Sequence, residues 1–428
     1  MRKFLEIVRL ELTALVRSKA LAMLSAVSVA WMLALPHFIK SDGTAEGVRE
    51  LTVHYSLGGV FALLVIALLA SATGSLARER AAKRLQLTMI RPVRPFVIVL
   101  GKVVAHAAAG AAVLAVACGV LACTADLTRL CDHVLSPTLP SVRYEAERMY
   151  EEYMKDPKTP DMVRKAKKSV VIRLLANRAI DHYQTVGTNE TAEWKFDGLG
   201  SLGGLGSLGG LGGLEVRMRF TNQYEMRQDV LGEFTLGNFH GTVSNITQAV
   251  LKVPLQISQT TQTSRTTQTL SFHNFGKASL MLRPRKDINL LVSADAFGFN
   301  LLRTYAELVA ILTLLIAFGV FLSAGLGRPV AMFVAFVALA VSEMSPSVLE
   351  QYPDELETDA VDRIGLYITR VSAEVTRPVS AVAPLDALAK DECVELRAVL
   401  HVVLVDALLL PVLLALLSAW CLPRKQEE

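Results

Sequence analysis

The chain has 428 residues, 52% of them hydrophobic but only 7% aromatic, and a mean hydropathy of +0.39, too apolar for an ordinary water-soluble globule. The excess is aliphatic, as in membrane helices, and several runs approach or exceed the roughly 20 apolar residues that cross a bilayer. The formal net charge of +4 decides little, because orientation follows the cations of each short loop.

Arg2, Glu6, Arg9, Thr13 and Arg17 recur at helical spacing opposite Phe4, Val8, Leu12 and Leu15. Residues 1–19 are therefore expected to form a basic amphipathic helix lying in the membrane interface. Ala20 to Ile39 is the first expected span, too far into the chain and without the small-residue cleavage site of a removed signal peptide. After the polar loop Lys40 to Glu50, Thr52 to Leu76 is the second span and Phe96 to Cys123 the third. The third is rich in Ala and Gly (Ala107 to Ala112), which suits close helix packing in lipid.

A long soluble insertion follows, residues 124–300. Its first part, 140–185, is charged and helix-prone. Its second, 192–297, changes to short runs suited to strands: Ala192 to Phe196, Glu215 to Phe220, Glu233 to Leu236, Val253 to Ile257, Thr269 to Phe272, Ser279 to Leu282 and Asn289 to Val292. These predict a small β-sandwich-like part. Within it the Gly/Leu-rich loop 198–214 lacks a Lys-Ser/Thr pair, so it is no phosphate loop. A repeat-slippage insertion between strands is favoured over a mobile apolar flap.

Leu301 to Ala324 is the fourth span and Val330 to Val341 a short fifth, together residues 301–341. Residues 342–395 form a second soluble segment with helices expected around Asp354 to Ala373 and Pro384 to Lys390. Leu396 to Leu422 is the sixth span, and 423–428 a tail. Grouping Arg2, Lys3, Arg9, Arg17, Lys19, the Arg78 to Arg94 cations, Lys102, Arg328, Arg424 and Lys425 on one side places both termini in the cytoplasm and both soluble segments outside. The expected fold is an α-helical polytopic membrane protein, six transmembrane helices with an inserted extracytoplasmic α+β domain. The cysteines Cys118, Cys123, Cys131, Cys393 and Cys421 have no zinc-site spacing, and a Cys131–Cys393 bridge stays open.

The stretch between spans two and three organises the chain. Residues 77–95 open with Arg78, Glu79, Arg80, Lys83 and Arg84, continue through an amphipathic turn (Leu85, Leu87, Met89, Ile90) and break at Arg91-Pro92 and Arg94-Pro95. A basic loop holding a short helix reads as a docking surface on the cytoplasmic side; the alternative is that its cations only set topology.

With an interfacial first helix, six spans and this loop, the chain resembles the permease subunits of type-2 ABC transporters. In that family the loop often reads R-E-x-x-x-G-T-L-x-x-L-x-x-x-P-x-x-x-x-x-x-x-x-G-K. Arg78, Glu79, Leu85, Pro92, Gly101 and Lys102 fit, while Lys83-Arg84 replaces the usual Gly-Thr. The resemblance implies that residues 1–19 are the elbow helix and that the loop is the coupling helix. Arg78, Glu79, Arg80, Leu85, Leu87, Met89, Arg91, Pro92 and Arg94 would then meet a separate ATPase. It also implies pairing with a second permease, identical or related, in a bacterial-type inner membrane. The chain carries no Walker lysine motif, HExxH or GxSxG, so no enzymatic activity and no cofactor of its own are expected; ATP would bind the partner, and no nucleic acid is implied.

The remaining candidates are ionisable residues in the spans: Asp406 with His401, His106, and Glu307, which lies i, i+4 from Arg303. Such groups are costly in lipid and face bundle interiors or cavities. A hydrogen bond to a neighbouring helix is the simpler role for His106, and an interfacial ion pair for Arg303 and Glu307; Asp406 is the main pathway or interface candidate. Two other readings stand beside the permease: a membrane-anchored envelope-binding protein acting through its β-domain, and an intramembrane enzyme using Asp406 and His401.

Overall fold

The computed structural model describes residues 2–38, 45–82, 94–155, 157, 164, 166, 168–180, 184–197, 214–221, 229–237, 239–247, 250–257, 267–284, 286–350, 367 and 382–424. The chain divides into two compact units, Met1–Arg129 with Ala296–Val348 and Thr369–Glu428, and Leu130–Asp295 with Leu349–Ile368.

The first unit is helical. Helix α1 (Arg2–Arg17) precedes α2 (Ala20–Phe38), α3 (Ala45–Ala81) and α4 (Pro95–Thr124). After the second unit come α7 (Phe297–Gly325), α8 (Arg328–Glu350), α9 (Val382–Ala389) and a last helix in three parts: α10 (Leu396–Val402), a π-helical turn (Val403–Leu409) and α11 (Leu410–Arg424). Among the described residues, four helical stretches are long and apolar enough to cross a membrane: Glu50–Ala81, Pro95–Thr124, Phe297–Gly325 and Leu396–Leu422. A fifth is reached if α1 and α2, bent by 62° at their junction, count as one. The fold is thus polytopic, with four to five candidate spans among the described residues where six were expected.

Helix α2 has 19 residues, and its described part is counted with α1 as one bent pair. Helix α8 runs on to Glu350, and its described apolar stretch is Arg328–Ala340. Helix α3 is also longer than expected. It starts at Ala45, within the expected polar loop, and continues beyond Leu76 through Arg78 and Arg80, because Ala, Arg and Glu are all good helix formers.

Helix α7 is central, packing against α3, α4, α9 and all three parts of the last helix. The Ala/Gly run of α4 turns Ala107, Ala109 and Gly110 inward. A Cβ on Gly110 would lie 2.5 Å from Leu312 and 2.6 Å from Leu68, so glycine lets α3, α4 and α7 converge there.

The second unit holds α5 (Val142–Lys155) and α6 (Lys168–Ile180), which share a small core of Ala146, Val171, Ile172, Leu175 and Ala176. Its strands are β1 (Leu130–Leu135), β2 (Gln184–Val186), β3 (Thr191–Asp197), β4 (Leu214–Arg219), β5 (Asp229–Leu236), β6 (Phe239–Ile246), β7 (Val250–Ile257), β8 (Thr267–Asn274), β9 (Leu280–Leu282) and β10 (Ile288–Ala296). Eight of them form one sheet in the order β1-β10-β4-β7-β6-β5-β8-β3; β2 and β9 pair separately. Apart from β9, the strands of the expected sandwich-like part belong to one continuous sheet. Among the described residues its halves meet at a ladder of two residue pairs, Phe239 with Ile257 and His240 with Gln256.

Both halves contribute to one core. Trp194 and Phe196 on β3 alternate inward and pair with β8, where Leu270 faces Trp194. In the other half Val216 on β4 sits between Leu290 and Val253. Phe220, at the end of β4, stacks at 4.9 Å on Phe272 of β8, joining the two halves. The Gly/Leu-rich loop 198–214 and the Asp354 to Ala373 helix lie almost entirely outside the described residues.

Candidate functional site

Of the loop residues named above, Leu85, Leu87, Met89, Arg91 and Pro92 lie outside the described residues. What is described is how that segment is held at both ends. At its start, Arg78, Glu79 and Arg80 occupy the last turns of α3. At its end, exposed Arg94 is the N-cap of α4, in extended backbone (φ −65°, ψ 136°) as a residue before proline prefers.

The charged groups here are engaged with the bundle. The Lys102 ammonium, 3% exposed, lies 2.8 Å from Glu79 Oε1 and 3.2 Å from Glu11 Oε2. This triad ties α1, α3 and α4 together. Beside it, Gly101 has no side chain where α1 crosses: a Cβ would lie 2.7 Å from Ile7 Cγ2. Arg80 reaches the end of α7, donating to the carbonyls of Ser323 (2.8 Å), Ala324 (3.0 Å) and Leu326 (2.9 Å). Carbonyls of a last helical turn lack intrahelical donors and carry the negative end of the dipole, so a guanidinium is a fitting cap. Arg78 donates from Nε to Gly74 O at 3.0 Å, and Arg328 lies on the same side of Gly74.

The intramembrane candidates separate into two groups. His106 is buried on α4, with Nδ1 2.9 Å from Lys102 O and Nε2 3.2 Å from Ser71 Oγ on α3. Because a carbonyl can only accept, Nδ1 donates, and a neutral ring then accepts from the serine hydroxyl. Glu307 on α7 and Asp406 in the π-helical turn are both buried, on helices that pack against one another, while His401 on α10 is exposed.

At the opposite ends of α4 and α7, polar contacts unnoticed in the sequence hold the segment between α9 and α10. Fully buried Asn300 donates to Glu392 O and accepts from Val394 N–H, Arg303 donates to Val394 O, and Arg129 pairs with Asp391. The signal was slight: Asn300 and Arg303 stand i, i+3 on an otherwise apolar helix. Nearby, a cavity of about 570 Å³ is walled by Met32, Pro36, Val53, Leu121 and Phe297, with Asp126 and Arg129 among its polar residues. The Asp126 carboxylate is held below the usual carboxylate range by Thr128, whose hydroxyl and amide both donate to it. None of the five cysteines forms a disulfide, Cys131 and Cys393 included.

No protein-family model, curated protein or solved structure matches the chain.

Proposed function

We propose that this chain is the permease subunit of an ABC exporter, and that a separate ATPase docks on the segment Leu85 to Arg91. In this reading the protein lies in a bacterial-type cytoplasmic membrane with both termini cytoplasmic and pairs with a second permease, identical or related. ATP hydrolysis in the partner drives substrate across.

The observation that carries the proposal is the joint between the two ends of the loop. Glu79 and Lys102, which belong to the two ends of the motif shared with type-2 permeases, are 2.8 Å apart, and Gly101 beside them admits Ile7 of α1. A segment fixed to α3 and α4, whose Arg80 also grips the end of α7, is suited to transmit force. A displacement of the loop by a nucleotide-driven partner would act on α1, α3, α4 and α7 together. Such a displacement moves the bundle only between two states that differ in free energy of interaction with nucleotide or substrate.

The test is co-purification of the detergent-solubilised chain from its native membrane, wild type beside a variant with Leu85 to Arg91 scrambled. A stoichiometric ATPase with the wild type, lost on scrambling, is the expected result. Absence of any ATPase from the wild type, or its retention after scrambling, overturns the proposal.

A further inference from the structure

The last helix contains a group that the docking segment does not use. Asp406 lies in the π-helical turn Val403–Leu409, where the ladder shifts to the wider register that lets the Leu410 amide bond Val405 O. Single π-turns inside α-helices are uncommon and concentrate at functional positions. Around Asp406, Leu404, Leu408 and Leu409 are 59%, 56% and 61% exposed, whereas Asp406 itself is 1% exposed. The turn thus points one carboxylate inward from a helix whose other face is leucine.

Asp406 Oδ1 is buried and makes no hydrogen bond among the described residues. On α7, which packs against this turn, is a second carboxylate, Glu307, 7% exposed. One turn before it on the same helical face, Thr304 has its hydroxyl oxygen buried, also without a hydrogen bond among the described residues. Both carboxylates stand ten residues into their helices, counted from Phe297 and Leu396, so each lies about 15 Å along its axis, near the middle of a hydrocarbon core. Nearby titratable groups on the packed elements are otherwise disposed. His401 on α10 is exposed, Arg303 donates to Val394 O, Tyr305 donates to Ala111 O, and Lys102 and His106 on α4 have the partners described above.

Two carboxylates buried at the same depth on packed helices are not both stable as anions in a low-dielectric interior without a positive partner. Carboxylate oxygens and a hydroxyl oxygen are the hard ligands that small hard cations prefer. We propose that Asp406 and Glu307, with Thr304 beside them, form a binding site for one small hard monovalent cation, a proton or Na⁺, in the core of the helical bundle. Occupancy cancels one of the two negative charges and lets α7 pack against the last helix; vacancy leaves two like charges in the bundle and favours separation of the helices. The site requires the apolar helices to lie in a membrane but does not depend on the ATPase.

The experiment uses the full chain in lipid nanodiscs, wild type beside Asp406→Asn, Glu307→Gln and the double variant. Radiolabelled Na⁺ binding is measured by scintillation proximity, and the carbonyl stretch of a protonated carboxyl by infrared spectroscopy at neutral pH. Sodium binding by the wild type, weakened in each single variant by about ten-fold or more, identifies Na⁺; even loss of an outer-shell partner weakens a metal site on that scale. No sodium binding, with a protonated-carboxyl band in the wild type that the double variant lacks, identifies the proton. If a variant does not fold, the wild type alone decides: competition of labelled by unlabelled Na⁺, or a carboxyl band that shifts in heavy water, supports the site. A wild type with neither signal, or signals that the variants leave unchanged, overturns it.

Discussion

At the scale of single residues, Lys102 is the most consequential charge. Its ammonium is 3% exposed, while Glu79 and Glu11 are 33% and 17% exposed, so the cation is buried more deeply than the anions that satisfy it. Removing one partner of a buried ion pair costs more than removing the whole set, because the survivors keep their desolvation penalty. Lys102→Met is therefore expected to destabilise the protein by about 3 kcal/mol, the lower end of the range for broken buried pairs given the partial exposure of both glutamates. The triple variant Glu11→Gln, Glu79→Gln, Lys102→Met should recover much of that loss. Thermal unfolding in detergent measures both, and a Lys102→Met protein as stable as the wild type would refute the lock. Lys102 and Glu79 were visible in the sequence as motif positions, but their meeting was not, since it depends on α3 and α4 being packed neighbours. Glu11 gave no signal at all, because it comes from a helix read only for its amphipathic stripe.

At the scale of elements, long spans were legible because aliphatic composition alone reports them, and their ends were not. Nothing in composition says that α3 continues beyond Leu76 through Arg78 and Arg80, which puts Arg80 within reach of the α7 carbonyls. The strands with strict alternation, such as Thr191–Asp197, were legible for the same kind of reason. Strand β6 was missed because Gly241, Asn245 and His240 break the apolar-polar pattern, and β1 because its Asp132 and His133 fall together. The Arg80 cap leads to a prediction that separates anchoring from docking. Arg80→Ala removes charge-assisted bonds to three terminal carbonyls and should cost about 2 kcal/mol in thermal stability. Scrambling Leu85 to Arg91 should leave the unfolding midpoint near the wild-type value while abolishing ATPase capture. Equal loss of stability in both variants would mean that the loop is part of the bundle's core.

At the scale of the whole molecule, the strand-bearing segment Leu130–Asp295 begins and ends on neighbouring backbone. Within the second unit the first and last strands, β1 and β10, are sheet neighbours. Within the first, the Phe297 amide donates to Arg129 O at 2.7 Å and the Gly298 amide to Leu127 O at 3.2 Å. A domain whose ends emerge together can be excised at little cost in loop entropy, because the gap to be closed is about the 5 Å that separates paired strands. Each unit also has its own core, that of the second being the cluster around Phe196, Phe220, Phe234 and Phe272. Replacing residues 130–295 by a short Gly-Ser linker is therefore expected to leave a monodisperse helical protein in detergent, with helicity per remaining residue raised in circular dichroism. Under the permease proposal it should still capture the ATPase, since the docking segment belongs to the helical unit. Aggregation of this variant would mean that the inserted unit is needed to assemble the bundle. A monodisperse variant that captures no ATPase, beside a wild type that does, would mean that the inserted unit governs docking, and the loop alone would no longer explain the partnership.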